Sequence, residues 1–288
     1  MADGPPTHRQ PVCISVINTP VDEVAESLRH GLAELGFAPT VVPDALIPGV
    51  PTIIMGGHQL GNWAPVPADA VIFNLEQLGA APHITPTYLA KLGGHTVWDY
   101  SRTNIAWLRE RGINASAQWI RVGYSPGLTR IPQAPAQDID VVFYGSLSPR
   151  RIAVLQALKE RGLNVAVLHR MFGAERDGYI ARAKVVLNVN YYDAQIFEIV
   201  RTSFLLSNRK ATVIEAADDG DVEPDFRTAA AVAPYNRLVE ACCALVADDA
   251  RRRALEEEAF RVFSGRSQAE FLREAAGTLP VRSASPGP

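Results

Sequence analysis

Apolar residues in this chain fall into short continuous runs, separated by stretches in which they recur at helical spacing. Residues 13–17, 38–42, 52–55, 70–74, 96–98 and 119–122 read as strands. Between the first two, residues 21–35 place Val24, Leu28, Leu32 and Leu35 on one helical stripe, and Gly36 is suited to the C-cap. The spacing also predicts helices over 85–92, with Pro86 in the first turn, and over 103–111, ended near Gly112. Residues 127–138 hold two prolines and little periodicity, and read as an interdomain linker. The alternation then restarts, with strands over 139–144, 165–168, 185–189, 211–214 and 229–232 and helices over 149–160, 175–183 and 197–206. From 235 to 275 the pattern is helical, with breaks near Asp248 and Gly265. Strands alternating with helices argue for an α/β chain built on parallel sheets covered on both faces. The expected divisions are a first Rossmann-like domain over 11–126, the linker over 127–138, a second Rossmann-like domain with terminal helices over 139–278, and a disordered tail over 279–288.

Composition removes several functional classes. A net charge of −3 gives no broad surface for nucleic acid or anionic membrane, so no nucleic-acid partner is expected. The cysteines Cys13, Cys242 and Cys243 lie in apolar patterns, without the spacing of a zinc site. Residues 1–10 are polar and proline-rich and lack an apolar signal core, and no apolar run is long enough to span a bilayer. These features lead to the expectation of a cytoplasmic protein.

The chemistry should lie at strand ends, because open α/β sheets bind ligands outside the carboxyl ends of their strands near a switch in strand order. With two such sheets facing each other, the expected site is the cleft between them. The first half offers Gly56-Gly57-His58, Glu76-Gln77 and Asp99-Tyr100-Ser101. His58 and Glu76 are candidate general bases, and Asp99 is a candidate to orient one of them or to bind an acceptor. The second half offers Tyr144-Gly145-Ser146, His169-Arg170 and the stretch from Asn188 to Tyr192. A small turn leading into a helix N-terminus, followed by Arg150 and Arg151, suits a diphosphate held by backbone N–H groups and guanidinium charge. Glu198 and Arg201 share a helix face, where they would form a local ion pair or else take a sugar hydroxyl and a phosphate respectively. Lys210 follows near the helix end. Glu175 and Asp177 suit a helix N-terminus, with Arg176 exposed. Asp138-Ile139-Asp140 has the form of a metal motif but precedes a strand, so no required metal is expected. GxGxxG and Walker sequences are absent, which argues against a nicotinamide or P-loop enzyme.

Phe143-Tyr144-Gly145-Ser146 with Arg150-Arg151, Phe172-Gly173 with Arg176-Asp177, Asn188 before Tyr191-Tyr192, and Phe197-Glu198 with Arg201 together resemble bacterial proteins of the GT-B glycosyltransferase superfamily. The resemblance covers nearly the whole chain. It implies two Rossmann-like domains facing across a cleft, with C-terminal helices crossing back. It implies metal-independent transfer of a sugar from a nucleotide-diphosphate sugar to an unidentified acceptor, with the donor as substrate and no cofactor. Tyr144, Gly145, Ser146, Arg150, Asn188, Tyr191, Glu198, Arg201 and Lys210 would lie on the donor side. The segments around Glu76 and Asp99 would face the acceptor. The retaining branch carries a second glutamate eight positions after the first; here that position is Leu206, so the stereochemical outcome stays open. A non-catalytic nucleotide- or glycan-binding protein of the same fold is the alternative.

Overall fold

A computed structural model describes residues 9–61, 66–79, 84–134, 136–191, 196–216 and 222–280. The chain divides into two compact units, one up to Val122 and resuming at Ser267, the other from Gly123 to Arg266.

The first unit contains β1 (Pro11–Val16), α1 (Asp22–Glu34), β2 (Ala38–Pro43), β3 (Thr52–Met55), β4 (Val71–Asn74), α2 (Pro86–Gly94), β5 (Thr96–Asp99), α3 (Arg102–Glu110) and β6 (Gln118–Trp119). Its strands form one sheet in the order β2-β1-β3-β4-β5-β6, and the pairs run parallel. β3 and β4 are buried along their whole length, which explains their unbroken apolar sequences. α2 and α3 start on side-chain caps: Thr85 accepts from the Tyr88 N–H, and Ser101 from the Asn104 N–H.

The second unit contains β7 (Ile139–Tyr144), α4 (Pro149–Glu160), β8 (Val165–Leu168), α5 (Gly173–Arg182), β9 (Ala183–Asn188), α6 (Ile199–Ser207), β10 (Thr212–Glu215), α7 (Phe226–Ala229), β11 (Ala231–Ala233), α8 (Leu238–Ala247) and α9 (Asp249–Ser264). Its sheet has the order β11-β10-β9-β7-β8, again parallel. Alternate β7 residues serve opposite faces: Val141 and Phe143 pack with α4 and α8, Val142 and Tyr144 with α5 and α6. In both sheets the first strand lies between the second and the third, so strand order reverses between β1 and β3, and between β7 and β9. Those two carboxyl edges are the switch points at which such sheets bind ligands.

α10 (Gln268–Ala276) joins the first unit, packed on α1, and Gln268 Nε2 donates to the Arg121 carbonyl at 3.1 Å. This is the crossing back of the C-terminal helices that the resemblance implies, made here by α10. The expected linker is not free chain. Asn208 Oδ1 accepts from the Arg130 and Ile131 N–H groups at 2.9 and 2.8 Å, and Ile131 is in the second unit's core. The strand expected over 229–232 begins later, because Asp225 caps a short helix that takes up Ala229. Leu279 is buried and the Pro280 carbonyl accepts from Gln10 Nε2, so these two residues of the expected tail are held in place; 281–288 lie outside the described residues. Among the described residues, no helix is long and apolar enough to cross a membrane.

Candidate functional site

At the β7/β9 switch point, β7 ends at Tyr144 and the chain turns through Gly145 at φ +127, a backbone state that L side chains rarely adopt. A Cβ on Gly145 would stand 2.9 Å from Arg201 Nη2, so the missing side chain also lets a guanidinium reach the loop. Arg201, in the first turn of α6, donates through Nη1 to Asn188 Oδ1 at 2.7 Å, across the end of β9. Its guanidinium lies 4.8 Å from the Tyr144 ring centre. Asn188 is fully buried, and its Nδ2 has no partner among the described residues. Arg151, in the first turn of α4, is buried and donates to the Val189 and Ser146 carbonyls, each at 2.8 Å. Burial first, and the adjacent Arg201 second, pull its guanidinium down to about 10. Glu198 acts on Arg151 in the opposite direction. Neither Arg151 nor Arg201 donates to a carboxylate among the described residues. Two guanidiniums, a buried amide N–H and the amino end of α4 converge here, and an anion would offset the repulsion between the two cations.

In the first unit, β3, β4 and β5 lie side by side, and their carboxyl ends carry the other candidates. Gly56, at φ +78, ends β3 so close to β1 that a Cβ would stand 2.3 Å from the Ile17 carbonyl oxygen. The tight turn leads into a 3-10 segment, Gly57–Gln59, which presents His58. His58 Nδ1 faces Glu76 Oε1 at 3.5 Å, and His58 Nε2 lies 2.9 Å from Gln59 Nε2. An amide nitrogen only donates, so in this orientation the ring proton sits on Nδ1, toward the carboxylate, and Nε2 carries the lone pair. Asp99, the last residue of β5, is fully buried and accepts from Asn74 Nδ2 (2.7 Å), the Ser101 N–H (2.7 Å) and Asn104 Nδ2 (3.0 Å). Burial raises its carboxyl to about 7, outweighing these hydrogen bonds.

No family model matches the chain. Its sequence is similar to two uncharacterized proteins of Acanthamoeba polyphaga mimivirus. L140 is 26% identical over 175 residues, 59% of this chain and 57% of L140. L137 is 30% identical over 141 residues, 47% of this chain and 19% of L137. The chain thus spans little more than half of one relative and a fifth of the other, and relatives from a giant virus give no support to the expected bacterial origin. Among solved structures it resembles Anabaena HepE in complex with UDP and glucose (TM-score 0.62, 13% identity, 94% of this chain and 99% of HepE). It also resembles sucrose-phosphate synthase from Thermosynechococcus elongatus (0.59, 14%, 93% and 98%) and TarM (0.54, 12%, 80% and 54%). The chain has the GT-B fold.

Within this fold the expected donor-side residues divide. Tyr144, Gly145, Ser146, Asn188, Tyr191, Glu198 and Arg201 all come to the β7/β9 edge or border it; the Tyr191 ring lies 5.2 Å from the Arg151 guanidinium. Of the two alternatives for Glu198 and Arg201, the local ion pair is not formed among the described residues, since Arg201 turns to Asn188. Arg150 needs correction as a diphosphate ligand. It makes a two-pronged pair with Glu215 at 2.7 Å, donates to the Asn190 carbonyl at 2.9 Å and stacks on Tyr235 at 4.3 Å. Arg151 faces the loop instead. Lys210 also needs correction: it precedes β10, at the edge opposite the GT-B switch point, and is fully buried with Nζ on the Ala181 carbonyl. Arg176, expected to be exposed, is buried beside Asp177 and lies 4.6 Å from the Phe204 ring centre. Asp138 and Asp140 pair with Arg182 and Lys184, and no cluster of three metal-ligating side chains occurs among the described residues. His169 and Arg170 are exposed. Sequence reasoning passed over Tyr88 and Asn104; the signal available was a polar residue three positions after a helix-capping serine, on a face otherwise apolar.

Proposed function

We propose that this chain is a glycosyltransferase whose second unit binds a nucleotide-diphosphate sugar and whose first unit activates an acceptor hydroxyl. The observation that carries the reading is the convergence of Arg151, Arg201 and the Asn188 Nδ2 group, which has no partner among the described residues, on the Gly145 turn, at a switch point of the GT-B fold. HepE in complex with UDP and glucose supports a uridine diphosphate sugar as the first donor to test. In an inverting transfer, the acceptor oxygen bonds to the anomeric carbon as the carbon–oxygen bond to the diphosphate breaks. The acceptor proton passes to His58 Nε2 once the acceptor hydroxyl has displaced the Gln59 amide from that lone pair, the departing diphosphate keeps the bonding electron pair, and Arg151 and Arg201 neutralise its charge. The reading is of a hexosyl donor and a metal-independent reaction, with cations of the chain in the place a divalent ion would take.

The test is a nucleotide panel read by thermal shift and calorimetry, followed by release of nucleoside diphosphate from sugar donors with and without chelator. Nucleoside diphosphate should raise the transition, and Arg201→Ala should weaken its binding at least about tenfold. His58→Gln should retain nucleotide binding and lose transfer. A second reading, a non-catalytic nucleotide-binding protein, is favoured by the fully buried, apolar Leu206 at the position of the second glutamate. Nucleotide binding without turnover across a broad acceptor set would establish it.

A further inference from the structure

The turn that carries Glu76 is held by more buried polar groups than its length requires. Asn74 Nδ2 and Asn104 Nδ2 both donate to the Glu76 carbonyl, at 3.0 and 2.8 Å. The Glu76 N–H donates to Asn74 Oδ1 at 3.3 Å, and the Leu78 N–H to Asn104 Oδ1 at 2.9 Å. Four bonds from two side chains therefore fix the backbone of Glu76 and Leu78. The two amides are themselves oriented by Asp99, one on each carboxylate oxygen. Tyr88 Oη adds a 2.9 Å bond to Asn74 Oδ1, while its ring stands edge-on to the His58 imidazole at 6.0 Å between centres. Asn74, Tyr88, Asp99 and Asn104 are all buried, and no cation pairs with Asp99 among the described residues.

Burying a carboxylate and two amides costs free energy that apolar residues of similar size would not. Packing alone gives no reason for the arrangement, because β4 and β5 are already joined through their backbones. The bonds instead converge on the residue whose carboxylate faces His58. We infer that Asn74, Asn104 and Asp99 form a positioning network that aims Glu76 at His58 and so sets the tautomer and basicity of the imidazole. Tyr88 steadies both ends of the network. The inference rests on the reading of His58 as the acceptor base, but it concerns the geometry of the pair and can be tested without turnover.

The test is the titration of His58 in the full chain, followed by NMR of the imidazole resonances and assigned against His58→Gln. Among the described residues, the charged and titratable groups seen facing the ring include Glu76 and Tyr88, with Asp99 behind Asn74. Glu76→Gln removes the carboxylate and should lower the His58 midpoint by roughly half a pH unit or more. Asn104→Leu leaves Glu76 in the chain but frees its turn, and should reproduce at least half of that fall. Tyr88→Phe loses a single hydroxyl, keeps the ring, and should give a smaller fall in the same direction; it serves where Asn104→Leu does not fold. A folded Asn104→Leu or Tyr88→Phe protein with the wild-type His58 midpoint overturns the inference, as does a Glu76→Gln protein with no change. Retained transfer in His58→Gln would overturn the base assignment and leave the positioning result standing, so the two failures are distinguishable.

Discussion

Arg150 and Arg151 are consecutive and identical in chemistry, yet the fold uses them differently. One helical step turns Arg150 toward Glu215 and Arg151 toward the Gly145 loop. Sequence shows two arginines opening a helix; it does not show which meets a carboxylate 65 positions later. Arg150→Met should leave the buried Glu215 without its cation and lower stability by about 3–5 kcal/mol, read by chemical denaturation. Arg151→Met should weaken nucleotide binding at least about tenfold with a smaller loss of stability. Equal losses of affinity in both variants would return Arg150 to the ligand. Asp99 gives a second residue-scale prediction. Burial raises its folded carboxyl to about 7, against an ordinary 3.8 in the unfolded chain. Between these values the folded state holds the extra proton, so its contribution to stability is full below about pH 4 and is lost as pH rises through 7. Asp99→Asn removes that loss. Stability of variant relative to wild type, measured at pH 5 and pH 8, should therefore shift toward the variant at pH 8. An unchanged difference would mean that Asp99 titrates as an ordinary acid.

At the scale of elements, the strands buried on both faces were the most legible, because an unbroken apolar run has few other uses. β3 and β7 fall where the sequence places them. α7 was not legible: a single helical turn has too few residues to show a period, and it depends on the Asp225 cap. The Gly145 turn was visible as a small-residue loop, but its demand for glycine comes from φ +127 and from Arg201, which lies on α6. Gly145→Ala should accordingly do two things. It should cost about 1–3 kcal/mol of stability from backbone strain. It should also displace Arg201 and weaken nucleoside diphosphate binding, whereas Gly162→Ala, at φ +82 with open space around its Cβ position, should carry only the strain. Calorimetric titration of both variants separates the effects. Wild-type affinity in folded Gly145→Ala would sink the proposed loop–Arg201 contact.

At the scale of the molecule, the chain leaves its first unit at Val122 and returns to it at Ser267, a fact that periodicity alone could not show. The helical pattern from 235 to 275 breaks near Asp248 and Gly265 without marking a change of unit, and what assigns its last helix to the first unit is the tertiary fit of α10 on α1. That fit depends on Gly31, which lies inside α1. A Cβ there would stand 2.8 Å from Gln268 Cγ and 3.0 Å from the Gln268 backbone. Glycine within a helix ordinarily costs about 1 kcal/mol relative to alanine, so its use here trades helix propensity for close approach. Gly31→Val should therefore destabilise the protein by about 1–3 kcal/mol despite valine's better propensity, since the backbone of α10 cannot move aside as a side-chain tip would. The groups proposed to bind nucleotide, Arg151, Arg201 and Asn188, all belong to the second unit. Gly31→Val should then lower the thermal transition yet bind nucleoside diphosphate with wild-type affinity at a temperature where it is folded. A fall in affinity matching the fall in stability would show instead that the second unit needs an intact first unit to form its site.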